Sequence, residues 1–336
     1  MPNIDNSFFT IIGLGYKNNA IKQTFFEVVD GRIPNAQVVD PFIFPNRFIS
    51  FLHRIVYSGR LRKYFKWFPK TFWERYHVLN HIEVKPEQKH YFLIAYGTDL
   101  DKLHFPNLLR KFKETYKDNV SLVLLLFDSV NSPLMKNGWG NLLEQVKLFD
   151  IVASYDQVDS SKYGFMHFYD SYAERTVVPS QESSDIFFVG GDKGRVKMLY
   201  DIAKYLSDGG VDVDIRVTCL ADEYLTKGIS SIKKYMTYDI TLGHVLSTNC
   251  LLEVLCEGQN SSSLRYYEAV VYNKKLLTND PNIINMPYYN PDTMKYFKKP
   301  EDIDIEWVKK KDHIDYQYKG EFSINTLFSQ IINYNK

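Results

Sequence analysis

The sequence predicts an α/β protein made of two parallel-sheet domains that face each other across a cleft, with a helix at the C-terminal end. Three observations carry this. Short continuous apolar runs such as HYFLIAY (90–96) and SLVLLLF (121–127) alternate with amphipathic segments, the pattern of buried parallel strands between covering helices. A polar, turn-rich stretch without period, TVVPSQESSD (176–185), interrupts the series, and a second one starts at IFFVG (186–190). The length of 336 residues exceeds one ordinary domain and suits two.

Each element follows from local pattern. FFTII (8–12) reads as a strand and NAIKQTFFEVV (19–29) as a helix. HYFLIAY is a buried strand, NLLRKFKETY (107–116) the helix after it, and SLVLLLF the central strand. GNLLEQVKLF (140–149) and DIVASY (150–155) continue as helix and strand. In the second series RVKMLYDIAKYL (195–206) sets Val196, Leu199, Ala203 and Leu206 along one helical face and stops at Gly209-Gly210. VDVDIRV (211–217) alternates like a half-buried strand. SINTLFSQIINY (323–334) spaces Ile324, Leu327, Phe328 and Ile331 as a helix behind Ser323 as N-cap. The expected division is a Rossmann-like domain over 1–177, a linker over 178–185, a second such domain over 186–318, and a terminal helical segment, 319–336, packing back toward the first domain. Ligands of open parallel sheets bind beyond the carboxyl ends of the strands, so a site belongs in the strand-end loops.

Composition narrows the function classes. Hydrophobic residues make up 45% of the chain, with 25 Tyr and 23 Phe, enough for sizeable cores and against disorder. A net charge of +1 gives no global nucleic-acid signal. Cys219, Cys250 and Cys256 sit in apolar surroundings without metal spacing and read as reduced core thiols, which suits a cytoplasmic chain. The opening MPNIDNSFF has no basic leader ahead of an apolar stretch, and the longest apolar runs are far short of a membrane span. Neither a secretory signal nor a transmembrane helix is expected.

The densest chemistry lies in CEGQNSSSLRYYEAVVYNKKLLTND, residues 256–280. A strand-like run, LLEVLC, leads into a polar loop, a short helix bearing Arg265 and Glu268, and then the strand KLLT. Such a loop presents the N–H groups and positive dipole end of a helix, which suit a phosphate, and a carboxylate one turn in suits sugar hydroxyls. Ser261, Ser262 and Ser263 equally serve as N-caps. A second element, FFVGGDKGR (187–195), runs from a strand through glycines into a helix. Gly191 lets the backbone approach a diphosphate, Lys193 supplies a point charge and Arg195 a planar fork. It is not a P-loop, since GxxxxGK[ST] is absent, and a solvated basic turn is the competing reading.

Together FVGGDKGR and EGQNSSSLRYYEAVVYNKKLLTND resemble the donor domain of GT-B fold bacterial glycosyltransferases, of the kind that assemble lipopolysaccharide or capsular polysaccharide. DIVASYDQVDSSKYGFMHFYDSY (150–172) is similar to the end of their N-terminal domain. The resemblance implies that Lys193 and Arg195 neutralise the donor diphosphate, helped by backbone N–H groups of Ser261, Ser262, Ser263 and Leu264. It implies that Glu268, as second glutamate of a Glu-x7-Glu element, holds the donor ribose, and that Glu257 and Gln259 face the sugar. Here the two glutamates stand eleven positions apart rather than eight, so Glu257 departs from the pattern. Thr218 and Tyr235 are candidates for contacts to the nucleotide base. No bound metal and no cofactor are expected, the nucleotide-sugar being a substrate. VDVD (211–214) has the Asp-x-Asp form of a metal motif but reads as alternation in a strand.

Glycosyl transfer needs charge stabilisation on the leaving diphosphate and, for inversion, a base for the acceptor hydroxyl. Asp128, directly after the strongest strand, and Asp156, after DIVASY, are the candidates, with Asp99 third; each competes with a turn or capping role. His53, His104 and His244 are weaker. GLG at 13–15 lacks the third glycine of a dinucleotide motif. The segment 46–77 interleaves Arg47, Arg54, Arg60, Arg62, Lys63, Lys66, Lys70 and Arg75 with Phe51, Tyr64, Phe65, Trp67, Phe68, Phe72 and Trp73. That mixture suits an anionic membrane surface or a lipid-linked acceptor; nucleic acid is the other reading, but no nucleic-acid module surrounds it. The expectation is a cytoplasmic, peripherally membrane-bound glycosyltransferase that moves a sugar from a nucleotide-sugar donor to a surface-glycan acceptor. The alternatives are a catalytically silent partner of an active transferase and an NAD-dependent sugar-modifying enzyme.

Overall fold

The computed structural model describes residues 6–13, 24–56, 61, 64–65, 67–96, 105–127, 129–130, 146–234, 236–257, 259 and 262–334. Of the candidates above, Asp99, His104, Asp128, Tyr235, Ser261, the second glycine of GLG, and Arg60, Arg62, Lys63 and Lys66 of the basic segment lie outside the described residues, as do 19–23 and 140–145 of the expected helices. The chain divides into two compact units, Met1–Tyr172 with Ser323–Lys336, and Ala173–Phe322.

In unit 1 the order is β1 (Ser7–Ile12), α1 (Phe26–Val29), β2 (Ala36–Val39), α2 (Arg47–Val56), β3 (Lys89–Tyr96), α3 (Pro106–Tyr116), β4 (Val120–Leu126), β5 (Ile151–Ser154), α4 (Gln157–Tyr163) and β6 (Met166–His167). All described strands pair in parallel in the order β2-β1-β3-β4-β5-β6. β2 carries no apolar run of its own and escaped the sequence reading. The period of two sorts each strand onto two cores. Phe92, Ile94, Leu122, Leu124 and Leu126 pack with Trp73, Leu108, Leu109 and Phe112 on one face, while Leu93, Ala95, Val123 and Leu125 pack with Phe9 and Ile11 on the other. A sheet covered on both faces has no need of polar alternation, which is why these strands read as unbroken apolar runs.

Unit 2 repeats the plan with β7 (Ser184–Gly191), α5 (Val196–Asp208), β8 (Val213–Thr218), β9 (Ile229–Ile232), α6 (Tyr238–Ser247), β10 (Thr248–Glu253), α7 (Leu264–Val271), β11 (Lys275–Thr278), β12 (Met294–Tyr296) and α8 (Ile305–Lys309). Its described strands are also all parallel, ordered β12-β11-β10-β7-β8-β9. Leu199, Ile202, Ala203 and Leu206 of α5 bury the predicted helical face against Ile186, Ile215 and Val217. The stretch read as a linker packs within this unit: the Ser180 N–H donates to the Gly243 carbonyl (2.9 Å), the Ser247 hydroxyl donates to the Ser180 carbonyl (2.7 Å), and Ser184 and Asp185 already belong to β7. Of the three thiols, Cys250 is buried, but Cys219, read as a core residue, is exposed just past the end of β8.

The terminal helix α9 (Ile324–Asn333) belongs to unit 1, with Ser323 as its N-cap. Glu27 reinforces that cap by accepting from the Ser323 hydroxyl (2.9 Å) and the Ile324 N–H (2.8 Å), a carboxylate at the positive end of a helix. Ile324, Leu327, Phe328 and Ile331 all enter the second core, and the Phe328 ring stacks on Phe9 with centroids 3.8 Å apart.

Two outcomes test this packing. Phe328→Ala is expected to cost about 3–5 kcal/mol in urea unfolding, the cost of emptying a buried aromatic site. The second concerns Asp170, whose carboxyl burial pushes up to about 7 against hydrogen bonds from Thr24 and Ser171. An acid that ionises later folded than unfolded penalises the fold once it is charged, so unit 1 loses stability as pH rises between the unfolded value near 3.8 and about 7. Asp170→Asn should therefore gain on the parent as pH is raised from about 4 to about 8.

Candidate functional site

The strand order of unit 2 reverses between β7 and β10: the chain leaves β7 toward β8 and β9 on one side, and β10 toward β11 and β12 on the other. Loops diverge at such a switch point and open a crevice beyond the carboxyl ends of the strands. Both glycine-and-serine elements singled out from sequence emerge there, FVGGDKGR from β7 and the 256–264 loop from β10.

Two arginines cross over this point. Arg195, after β7, donates from Nε and Nη2 to the Gly191 carbonyl (3.3 Å each) and from Nη1 to the Val254 carbonyl beyond β10. Arg265, in α7 after β10, reaches back from Nη2 to the Val189 carbonyl of β7 (2.9 Å). Arg195 also lies over the Phe188 ring at 4.9 Å. Burial holds the Arg195 guanidinium below its usual pKa; Cys256 opposes this and the neighbouring Arg265 adds to it. Burial works against Arg265 too, but Glu268 outweighs it and its pKa is raised. Gly190 makes room for this arrangement: a Cβ there would stand 2.9 Å from Arg195 Nη2 and 3.2 Å from Phe188 Cζ. Lys193 and Gly194 form a left-handed turn (φ 47° and 82°), and Lys193 is exposed. The Asp192 carboxylate caps α5, accepting from the N–H groups of Gly194 and Val196 (3.1 Å each).

The second element is braced from below. Glu253, at the end of β10 and almost fully buried, accepts from the Ser263 N–H (2.6 Å), the Ser263 hydroxyl (2.7 Å) and the Thr278 hydroxyl (2.6 Å). Burial pushes its carboxyl up against these bonds. Ser262 donates to Asp280 (2.9 Å), and Ser263 caps α7 by accepting from the Arg265 N–H (3.3 Å). Glu253 was missed in the sequence; the signal was a lone carboxylate inside the apolar run LLEVLC.

Several expected residues are placed differently. Glu268, expected to hold a ribose, is 0% exposed; one oxygen accepts from Tyr238 (2.8 Å) and the other from Arg265 (2.5 Å). The Ser263 N–H, expected to be open to a phosphate, donates to Glu253, and the next helical N–H, that of Arg265, donates to the Ser263 hydroxyl. Ser262 is buried and spent on Asp280. Glu257 is exposed in a turn, and Gln259 is half-buried with its N–H on the Cys256 carbonyl. Thr218 ends β8 opposite Gly191, and its Oγ1 is buried without a hydrogen-bond partner among the described residues. Leu264 opens α7. In unit 1 Asp156 is fully buried as the N-cap of α4: one oxygen accepts from the N–H groups of Val158 (2.8 Å) and Asp159 (3.1 Å), the other from Ser129. The capping role weighed for it in the sequence is the one these bonds fill. His53, against Phe42 and Trp73, and His244, stacked on Phe187, are core residues.

One group among the described residues, Glu182, Asp214 and His244, brings potential metal-ligand atoms within 4.8 Å of one another. Arg216 already serves it, donating to Asp214 (2.7 Å) and Glu182 (2.5 Å), so an internal cation meets these carboxylates. Asp214 is the second aspartate of VDVD, whose Val213 and Asp214 open the alternating strand β8.

No protein-family model matches the chain. No curated protein matches it either. Solved structures do. HepE from Anabaena in complex with UDP and glucose superposes with a TM-score of 0.56 at 10% identity, over 97% of this chain and 98% of that one. A UDP-forming α,α-trehalose-phosphate synthase from Burkholderia xenovorans gives 0.52 at 8% identity, over 97% and 99%. A putative UDP-N-acetylglucosamine 2-epimerase from Listeria monocytogenes gives 0.51 at 11% identity, over 97% and 95%. The chain therefore has the GT-B fold, two Rossmann-like units of parallel sheet and helices. The epimerase shows that this fold by itself does not fix the reaction.

The Arg265–Glu268 pair makes a stability prediction. Glu268→Gln leaves a guanidinium only 12% exposed without its counter-charge and should cost about 3–5 kcal/mol in chemical denaturation. The double change Arg265→Met, Glu268→Leu should recover most of that loss.

Proposed function

We propose that the chain is a glycosyltransferase that takes a sugar from a nucleotide-sugar donor, bound in unit 2 at the β7/β10 switch point, and passes it to a surface-glycan acceptor of the capsule, lipopolysaccharide or exopolysaccharide kind. The observation that carries the reading is the pair of crossed arginines beside an exposed lysine at the place where the parallel sheet of unit 2 opens for a ligand. A guanidinium has five N–H donors, and three bonds to carbonyls leave Arg195 donors for a diphosphate. Lys193, held in a left-handed conformation that lysine seldom adopts, adds a point charge; strain of this kind collects at ligand-binding turns. Charge developing on the leaving diphosphate meets cations whose positions are fixed in advance, which is the economical way to stabilise it. The scheme uses the protein's own cations and includes no metal or cofactor. Glu268 acts as a positioning residue that aims Arg265, and Thr218 offers its hydroxyl from the adjacent strand end. For the base, Asp128 is carried forward from its place after the central strand, since Asp156 is committed to its cap. HepE holds UDP and glucose, so uridine diphosphate and its sugars are the first ligands to test.

A catalytically silent partner of an active transferase is the second reading. One observation favours it: Asp156 and Glu268 are both fully engaged inside the protein.

A thermal-shift panel of nucleoside diphosphates and their sugars should contain a ligand that raises the melting temperature, by the equivalent of about 2.7 kcal/mol at a hundredfold excess over Kd. Lys193→Ala and Arg195→Ala are each expected to weaken it about tenfold. Gly190→Ala should do the same and also lower stability, because the added methyl meets Arg195 Nη2 at 2.9 Å and Phe188 Cζ at 3.2 Å and disturbs the bonds that hold the guanidinium. A panel with no effect sinks the donor reading. Binding without donor hydrolysis or transfer favours the silent partner.

A further inference from the structure

Helix α2 covers the core with only one of its faces. Ile49, Leu52 and Val56 lie against the first core of unit 1, and His53 packs between Phe42 and Trp73. Arg47, Phe48, Phe51 and Arg54 share the opposite face by helical spacing. Phe48 is 66% exposed and Phe51 54%, and farther along the segment Tyr64 is 63% and Trp67 76% exposed. Trp67 is not a loose side chain: its Nε1 donates to the Tyr64 carbonyl (3.0 Å), and its ring meets Phe68 edge-on at 5.9 Å. Phe68 packs on Trp73 (5.8 Å) and Trp73 on His53 of α2 (5.0 Å), so both exposed groups cap the same flank.

Charge distinguishes this segment from the rest of the sequence, and Arg47 and Arg54 place part of it beside the exposed rings. Residues 46–77 hold eight Lys and Arg against one carboxylate, Glu74, in a chain whose net charge is +1. A globular protein seldom leaves several large aromatics projecting into water on one face unless that face meets a partner. Here the partner has to accept aromatic rings and present negative charge around them. A bilayer with anionic headgroups does both, and a sharply amphipathic helix with phenylalanines between arginines is the element that lies in its interface. We propose that this flank of unit 1 docks on an anionic lipid surface, with Phe48, Phe51 and Trp67 entering the boundary between headgroups and acyl chains and with Arg47 and Arg54 on lipid phosphates. The docking goes beyond the donor reading and is independent of it, since donor binding is measured separately in unit 2.

The test is flotation of the full chain with vesicles of phosphatidylcholine alone or mixed with phosphatidylglycerol. The protein is expected to float with the mixed vesicles only, and less at high salt. Phe48→Ser, Phe51→Ser and Trp67→Ser together should weaken partitioning by at least about tenfold. Arg47→Gln and Arg54→Gln should each weaken it about fivefold. All these side chains are exposed, so the variants should keep the parent melting temperature. Equal flotation on both vesicles, no flotation, or variants that float like the parent would overturn the proposal. So would an aromatic variant that turns a dimer into a monomer without any vesicle binding, which assigns the face to a second copy. RNA binding lost in the same variants, again without vesicle binding, would assign it to nucleic acid.

Discussion

Two guanidinium groups exchanged between neighbouring strands organise unit 2. β7 and β10 run parallel and adjacent, yet 56 residues of β8, β9 and two helices separate Gly191 from Thr248 in the chain. Nothing local ties their carboxyl ends together where the loops part. Arg195 ties β7's loop to the carbonyl that follows β10, and Arg265 ties α7 back to β7. Each donates to backbone carbonyls near the carboxyl ends of the two strands, where an unmet buried carbonyl would be costly. The switch point thus keeps a fixed shape and acquires two positive groups at the same stroke.

Those positive groups need company to be buried, and the carboxylates beneath them supply it unevenly. Glu268 neutralises Arg265 through a direct pair, while Arg195 is met by backbone carbonyls, the face of Phe188 and more distant charge. That asymmetry shows in their opposite pKa directions. Glu253 and Asp280 do something different. They hold the serines of the α7 N-terminus, so this loop is fixed by hydrogen bonds to β10 and to the residues after β11 rather than by a ligand. A helix terminus satisfied in this way offers fewer donors to an anion, and the attraction at the site shifts from backbone N–H groups to side-chain cations.

Patterns within a dozen residues made the architecture readable. KLLT is β11 residue for residue, Ser323 caps α9 where its hydroxyl could reach Asn325, and both loops at the switch point were found from their glycines, serines and cations. What each polar side chain pairs with was not readable. Arg265 meets a carbonyl 76 positions away and Arg195 one 59 away, and no local spacing carries that information. Asp156 illustrates another limit: an aspartate after a strand fits a cap and a base equally in sequence, and its bonds to the Val158 and Asp159 N–H groups were not readable there. Trp67 and Trp73 stand six residues apart in one aromatic-basic segment, yet one is in water and the other in the core. Composition shows that rings are present; the packing of Phe68 and Phe72 beneath them sets which one is left over.

The position of Glu268 has an energetic consequence for any sugar-nucleotide. To accept from a ribose hydroxyl, its carboxylate would have to leave Arg265 or Tyr238 and come to the surface. Separating a buried ion pair costs about 3–5 kcal/mol, whereas a neutral hydroxyl bonding to a carboxylate returns about 1.5–3 kcal/mol. The exchange is unfavourable unless the arriving diphosphate takes over Arg265 at the same time. Were the proposed donor to bind there, its diphosphate would have the charge to do that, and the two events would be linked: phosphate on the guanidinium would release the carboxylate for the sugar or ribose beside it. On that reading a bare nucleoside would meet Glu268 still buried on Arg265 and Tyr238.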